Sequence, residues 1–247
     1  MRAVRSKEVF IAAVISLLAQ PGVWAVDGPH ILQNATEFPY MVLVQIAPDP
    51  DTTSEVNQIV PGMFLSRHTI LTYGDGDFVN ADLNRFSLRL PDGTTELVNK
   101  RNVVEGLLQM TVLKTCYKYK GPVMPLTPTS YPDFNTTAEG RILWYKGSTG
   151  ELFGHTTQVE AASSCTDPNL DAATQTCNVF DSTSSCSYYE GDPIYQQVPV
   201  LAMNSLVVAM VDSVTCSLEE FYESSLTFVG VKPFYTDILS IAMDAVQ

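Results

Sequence analysis

The chemistry open to this 247-residue chain is limited by three histidines, His30, His68 and His155, and five cysteines, Cys116, Cys165, Cys177, Cys186 and Cys216. No CxxC and no neighbouring pair of histidines occurs, so the spacing fits no zinc site, and neither metal nor cofactor is expected. Nucleophilic hydrolysis needs an imidazole beside a hydroxyl or thiol. His68 stands on the approach to a strand as a surface residue, and His155 ends a Gly150-Glu-Leu-Phe-Gly-His155 stretch of loop character. Carboxylates are better supplied, with Asp75 and Asp77 in one turn and Glu190 and Asp192 in another. Two carboxylates brought close together share a proton or hold a cation. They are also the acid–base pair of glycosidases, but no sugar-binding platform accompanies them here. Asn34-Ala-Thr36 and Asn135-Thr-Thr137 are acceptor sequons for N-glycosylation.

The compartment follows from the first residues. Arg2, Arg5 and Lys7 precede an apolar run from Val9 to Ala19, followed by Gln20-Pro-Gly22 and Val23-Trp-Ala25. This order is that of a secretory signal peptide over residues 1–25, and the apolar run is too short to span a bilayer. Residues 26–30 are then a short remnant before a single domain, 31–247, that is secreted into the extracellular fluid. In that oxidising setting five cysteines make two disulfides with one thiol over.

Formal charge is −13, and loss of residues 1–25 with their three basic residues and Glu8 moves it to about −15. Such a surface disfavours nucleic acid and anionic membrane and favours a protein partner or a divalent cation. With 45% hydrophobic residues, about 220 residues suffice for one well-buried domain. Short strand-like runs dominate: Met41–Ile46, the alternating Phe86–Leu90, Arg141–Tyr145 and Leu206–Val211. Turn clusters at Ala47–Asp51, Gly74–Asp77, Pro91–Gly93 and Lys146–Ser148 separate them, which predicts an all-β sandwich or barrel. Ile238, Ile241, Ala242 and Ala245 have helical spacing, with Thr236 as the cap and Asp237 in the first turn of a C-terminal helix.

Taken in order, several segments resemble the trypsin-like serine protease family. Ile31-Leu-Gln-Asn34 with Phe38–Val42 is similar to the IVGG start and first strand. Gly62–Ser66 with Thr69–Thr72 is similar to GGSLI and the strand entering TAAHC, and Gln109–Lys114 with Pro125-Leu126 to DIALLK and its proline–leucine pair. Leu143-Trp-Tyr145 stands at GWG, Cys186–Ile194 aligns without a gap to CxGDSGGPL, and Val229-Gly-Val231 with Tyr235-Thr236 resembles GVYT. The resemblance covers nearly all of residues 31–247. It implies two six-stranded antiparallel β-barrels closed by a C-terminal α-helix, with disulfides Cys165–Cys177 and Cys186–Cys216. The cysteines that brace the His loop are replaced together, by Val60 and Gly76. Cys116 has no implied partner.

The same alignment removes the chemistry. Asp75 takes the His position, Gln109 that of the orienting Asp and Glu190 that of the Ser, so base, orienter and nucleophile are all replaced. Tyr188 replaces the oxyanion-hole glycine and Tyr189 the Asp that pairs with a freed N-terminus. His30, not Arg or Lys, precedes Ile31, and Val211-Asp-Ser213 replaces the SWG strand. The resemblance therefore implies a secreted, non-catalytic serine protease homologue acting by protein binding. The roles open to it are cofactor, decoy or inhibitor, in haemolymph, seminal fluid or against a foreign hydrolase. The alternative is a novel hydrolase, or a cation site, built on Asp75 and Glu190.

Overall fold

The structure, a computed structural model, describes residues 31–32, 37–48, 57–74, 78, 80–90, 92–104, 110–125, 129, 131–146, 149–165, 170–180, 195–197, 200–215 and 224–243. Fourteen strands and one helix order these residues. The first barrel is formed by β2 (Met41–Ile46), β3 (Asn57–Phe64), β4 (Thr69–Tyr73), β5 (Phe86–Arg89), β6 (Thr95–Val103) and β7 (Met110–Thr115). Their order, β3-β2-β5-β6-β7-β4, is closed by a β3–β4 pairing. Strand alternation divides their side chains between two cores. Val42, Val44, Val60, Phe64, Ile70, Phe86, Leu88 and Leu113 fill the barrel. Met41, Leu43, Met63, Leu71, Tyr73 and Val112 point outward into a second core shared with the rest of the chain. Both faces of β2 and β4 are thus covered, which is why β2 is apolar but for Gln45 and β4 buries Thr69 and Thr72 beside its apolar residues. β5, with one wet face, alternates as its sequence predicts, Phe86 and Leu88 inside and Ser87 and Arg89 partly exposed. Val60, where a bridging cysteine was implied to be missing, is a fully packed barrel residue opposite Val44.

The second sheet runs β1-β9-β8-β12-β13-β14-β10. Its strands are β1 (Ile31–Leu32), β8 (Ala138–Tyr145), β9 (Leu152–Val159), β10 (Gln175–Phe180), β12 (Val200–Met203), β13 (Leu206–Thr215) and β14 (Ser224–Gly230). No ladder among the described residues joins β10 back to β9. Single bonds do it instead: the Glu160 amide donates to the Cys177 carbonyl at 2.8 Å, and Asn178 Nδ2 to Thr157 Oγ1 at 2.7 Å. The sheet is therefore rolled so that its ends meet, but only the first barrel is closed by strand pairing. Cys165 and Cys177 form the implied disulfide beside this junction, with Cα atoms 5.9 Å apart. Cys116 is an exposed free thiol, and Cys186 and Cys216 lie outside the described residues.

The six strands of the first barrel pair antiparallel throughout, as expected, and the short β11 (Tyr195–Gln197) adds a parallel pairing with Asn57–Ile59 of β3 outside the ring. Two sequence expectations are corrected. The stretch around His155 is not a loop but β9, in register with β8 from Ala138↔Val159 to Tyr145↔Leu152, because eight consecutive pairings outweigh the turn propensity of its glycines. Thr236 is not the cap of the C-terminal helix. A 3-10 turn over Lys232–Phe234 carries Pro233 and runs directly into α1 (Tyr235–Met243), so the backbone is already helical at Val231 and Tyr235. The helix buries Ile238 and Ala242 and keeps Asp237 in its first turn, as its spacing predicts. No helix among the described residues is long and apolar enough to cross a membrane.

Candidate functional site

Two of the positions that the sequence alignment singled out, Asp75 and Gln109, adjoin strand ends whose geometry is defined. β4 pairs with β7 from Thr69↔Lys114 to Tyr73↔Met110. Beyond Tyr73 the chain runs through Gly74 into Asp75, and it enters Met110 from Gln109. Asp75, Gln109 and Glu190 themselves lie outside the described residues, as do Asp77, Asp192, Tyr188, Tyr189, Gly76 and His30. Asn34 lies outside them too, whereas Asn135 is exposed on the loop before β8.

On either side of residues 75–77, Gly74 and Phe78 form a contact the sequence reading did not single out. A Cβ at Gly74 would lie only 2.2 Å from the Phe78 ring, so the chain can turn here only because the residue is glycine. Phe78 is fully buried and meets Phe86 edge to face, centroids 5.1 Å apart. Arg101 of β6 stacks over Phe86 at 5.4 Å and donates through Nη1 to the Phe78 and Ala81 carbonyls at 3.2 and 2.5 Å. Burial lowers the Arg101 pKa, and Asp82 opposes that shift. Phe78 and Ala81, which follow Asp75 and Asp77 in the sequence, are thus held by a buried aromatic pair and a guanidinium. The signal was the aromatic directly after the Gly-Asp-Gly-Asp turn.

Other aligned segments lie on strands whose pairing is described. β13 carries Val211-Asp-Ser213, whose pairing with β14 is irregular between Val211 and Ser213, a bulge at the stretch aligned with SWG. The residues following Glu190 enter β11, whose main chain is bonded to β3 of the first barrel. Tyr40, at the start of β2, ties the two halves: its hydroxyl donates to the Ser205 carbonyl at 2.9 Å and accepts from the Val207 amide at 3.0 Å. Its target is the β12–β13 hairpin, whose two turn residues, Asn204 and Ser205, both have positive φ, as a two-residue primed turn requires. Past the end of β7, Tyr119 is stacked on Phe64 at 3.9 Å, with its hydroxyl donating to the Pro39 carbonyl.

Among the histidines, His68 lies away from these strand ends. His68 is half-buried, not a free surface residue, and its Nδ1 donates to the Tyr117 carbonyl at 2.8 Å. It precedes Thr69, at the opposite end of β4 from Tyr73, roughly 16 Å away along the strand. The backbone of His155 lies opposite Ile142 in the second sheet. Among the described residues no three His, Cys, Asp or Glu side chains cluster to hold a metal ion.

No protein-family model matches the chain, and no curated protein matches it. Solved structures do. A scabies mite inactivated protease paralogue superposes with a TM-score of 0.61 at 12% identity, over 87% of this chain and 99% of that one. Kallikrein-related peptidase 10 superposes with a TM-score of 0.60 at 9% identity, over 86% and 99%. The chain has the trypsin-like fold.

Proposed function

We propose that this chain of trypsin-like fold is a secreted, non-catalytic serine protease homologue that acts by binding protein. One observation carries the reading: the register Tyr73↔Met110 brings the routes to Asp75 and Gln109 to adjacent strand ends, as the alignment with His and Asp requires. If the alignment is right there, the site has a carboxylate for its base, an amide for its orienter and a carboxylate for its nucleophile. The trypsin-like fold is kept, while the residues aligned with the triad are ones that cannot perform the reaction. A scaffold kept without its chemistry fits a binding role as cofactor, decoy or inhibitor. That one similar structure is itself named an inactivated protease paralogue is compatible with this.

The test is direct. The purified protein is expected to remain unlabelled by a fluorophosphonate probe and to leave peptide, ester and glycoside panels intact. It should also form a saturable complex of fixed stoichiometry with a protein of its native fluid. Turnover that disappears in Glu190→Gln would overturn the reading in favour of a carboxylate-based hydrolase. The alignment has its own check: peptide mapping is expected to find Cys186 joined to Cys216. Any other partner for Cys186 removes the basis for placing Glu190 at the serine position.

A further inference from the structure

The sequon Asn135-Thr-Thr137 stands on the loop that leads into β8, and all three of its residues are exposed. Phe134, in the left-handed region at φ 49°, turns the chain just before it. Its ring is partly buried against the core shared with the first barrel, so Phe134 is the fixed point of the loop and Asn135 lies beyond it in solvent. The loop is then tied on both sides of Asn135 to one short stretch at and after the end of β9. The Ala162 amide donates to the Phe134 carbonyl at 2.9 Å, Thr137 Oγ1 donates to Glu160 Oε2 at 3.1 Å, and Ala138 opens the β8 ladder opposite Val159.

Transfer of an oligosaccharide to asparagine needs an accessible amide and, two residues on, a hydroxyl that the transferring enzyme can engage, with no proline between them. The folded loop offers the amide but has the Thr137 hydroxyl committed to Glu160. Every group that holds the loop in this way, on Val159, Glu160 and Ala162, is synthesised later, Glu160 lying 23 residues beyond Thr137. The sequon is therefore unrestrained as it emerges, and the fold closes on Thr137 afterwards. We propose that Asn135 carries an N-linked glycan, transferred before the end of β9 docks on the loop. In the folded protein the sugar stands in solvent beside the junction of the second sheet, where the Glu160 amide bonds to the Cys177 carbonyl. The proposal rests on the reading of this chain as secreted, and the test separates the two.

The full chain, expressed in a secretory cell line, is treated with peptide N-glycosidase in heavy-oxygen water and mapped after tryptic digestion. Residues 121–141 form one tryptic peptide that holds Asn135 and no other sequon, which keeps the result apart from that at Asn34. That peptide is expected to carry a heavy-labelled aspartate at position 135. Asn135→Gln and Thr137→Ala should each lose the gel shift of one glycan, whereas Thr137→Ser should keep it. The order of events has its own readout. Glu160→Ala releases the Thr137 hydroxyl from its folded-state partner, and occupancy of Asn135 is expected to stay as in the parent. A rise in occupancy in Glu160→Ala overturns transfer before docking. Protein found in the medium with Asn135 bare overturns the proposal and leaves secretion standing; protein held in the cytosol with Asn135 bare overturns both.

Discussion

Phe78→Ala is expected to lower the stability of the protein by about 3 to 5 kcal/mol, the range for truncating a fully buried aromatic ring. For a domain of this size that is a fall in Tm of about 10 °C. The cavity opens at the base of the Gly74–Ala81 segment, where Phe86 loses its edge-to-face partner and Gly74 the ring against which it turns. Partner binding should weaken as well, because the same segment carries Asp75 and Asp77. Phe78→Leu, which keeps most of the volume, should restore the larger part of both losses. Chemical denaturation of the three proteins checks the ranking, and a loss below about 1 kcal/mol for Phe78→Ala would contradict the anchor.

Tyr40→Phe should cost about 2 to 4 kcal/mol, because it strands the Ser205 carbonyl and the Val207 amide, two groups held by one hydroxyl. The cost should also depend on pH. Burial pushes the Tyr40 pKa up to about 12, against the lowering effect of the Val207 hydrogen bond, while in the unfolded chain it is near 10. A folded-state pKa raised in this way gives stability that is complete below about pH 10 and is lost as pH rises towards 12, by roughly 2 to 3 kcal/mol. Tyr131 and Tyr145 are shifted upward by burial too, so the alkaline loss in Tyr40→Phe should be smaller but not absent. Urea unfolding of both proteins at pH 8 and pH 11.5 measures this. A stability difference that does not shrink at the higher pH would mean the hydroxyl is not the tie between the two halves.

Much of the fold was legible because its signals are local. Met41–Ile46 is a strand with the predicted bounds, and the alternation from Phe86 to Leu90 reports one covered and one wet face. The apolar spacing of Ile238 and Ala242 marks the buried side of α1. The errors are also local in origin. Gly150 and Gly154 made the approach to His155 read as a loop, though β8 holds it as strand through a full ladder. Thr236 is a good capping residue, but the turn containing Pro233 had already started the helix. At the candidate site, Phe78 was passed over because an aromatic after a turn carries no local mark of what it will pack against. Tyr40 was legible only as the start of a strand, since its partners lie 165 and 167 residues further along the chain.

By itself the sequence determined the inventory of chemistry: three imidazoles, an excess of carboxylates over basic groups, and five cysteines. Such facts depend on residue identity and order alone, and folding does not change them. It also determined where most strands run, because alternation and apolar runs are properties of neighbouring residues. Only the tertiary structure decided which strands meet and in what register. It set Tyr73 opposite Met110, β11 in parallel beside β3, and Lys100 across a bulge from Lys114. Register is settled by packing between segments far apart in sequence, and a shift of one residue reverses every face. That Lys100 faces Lys114 therefore leaves no trace in the linear pattern.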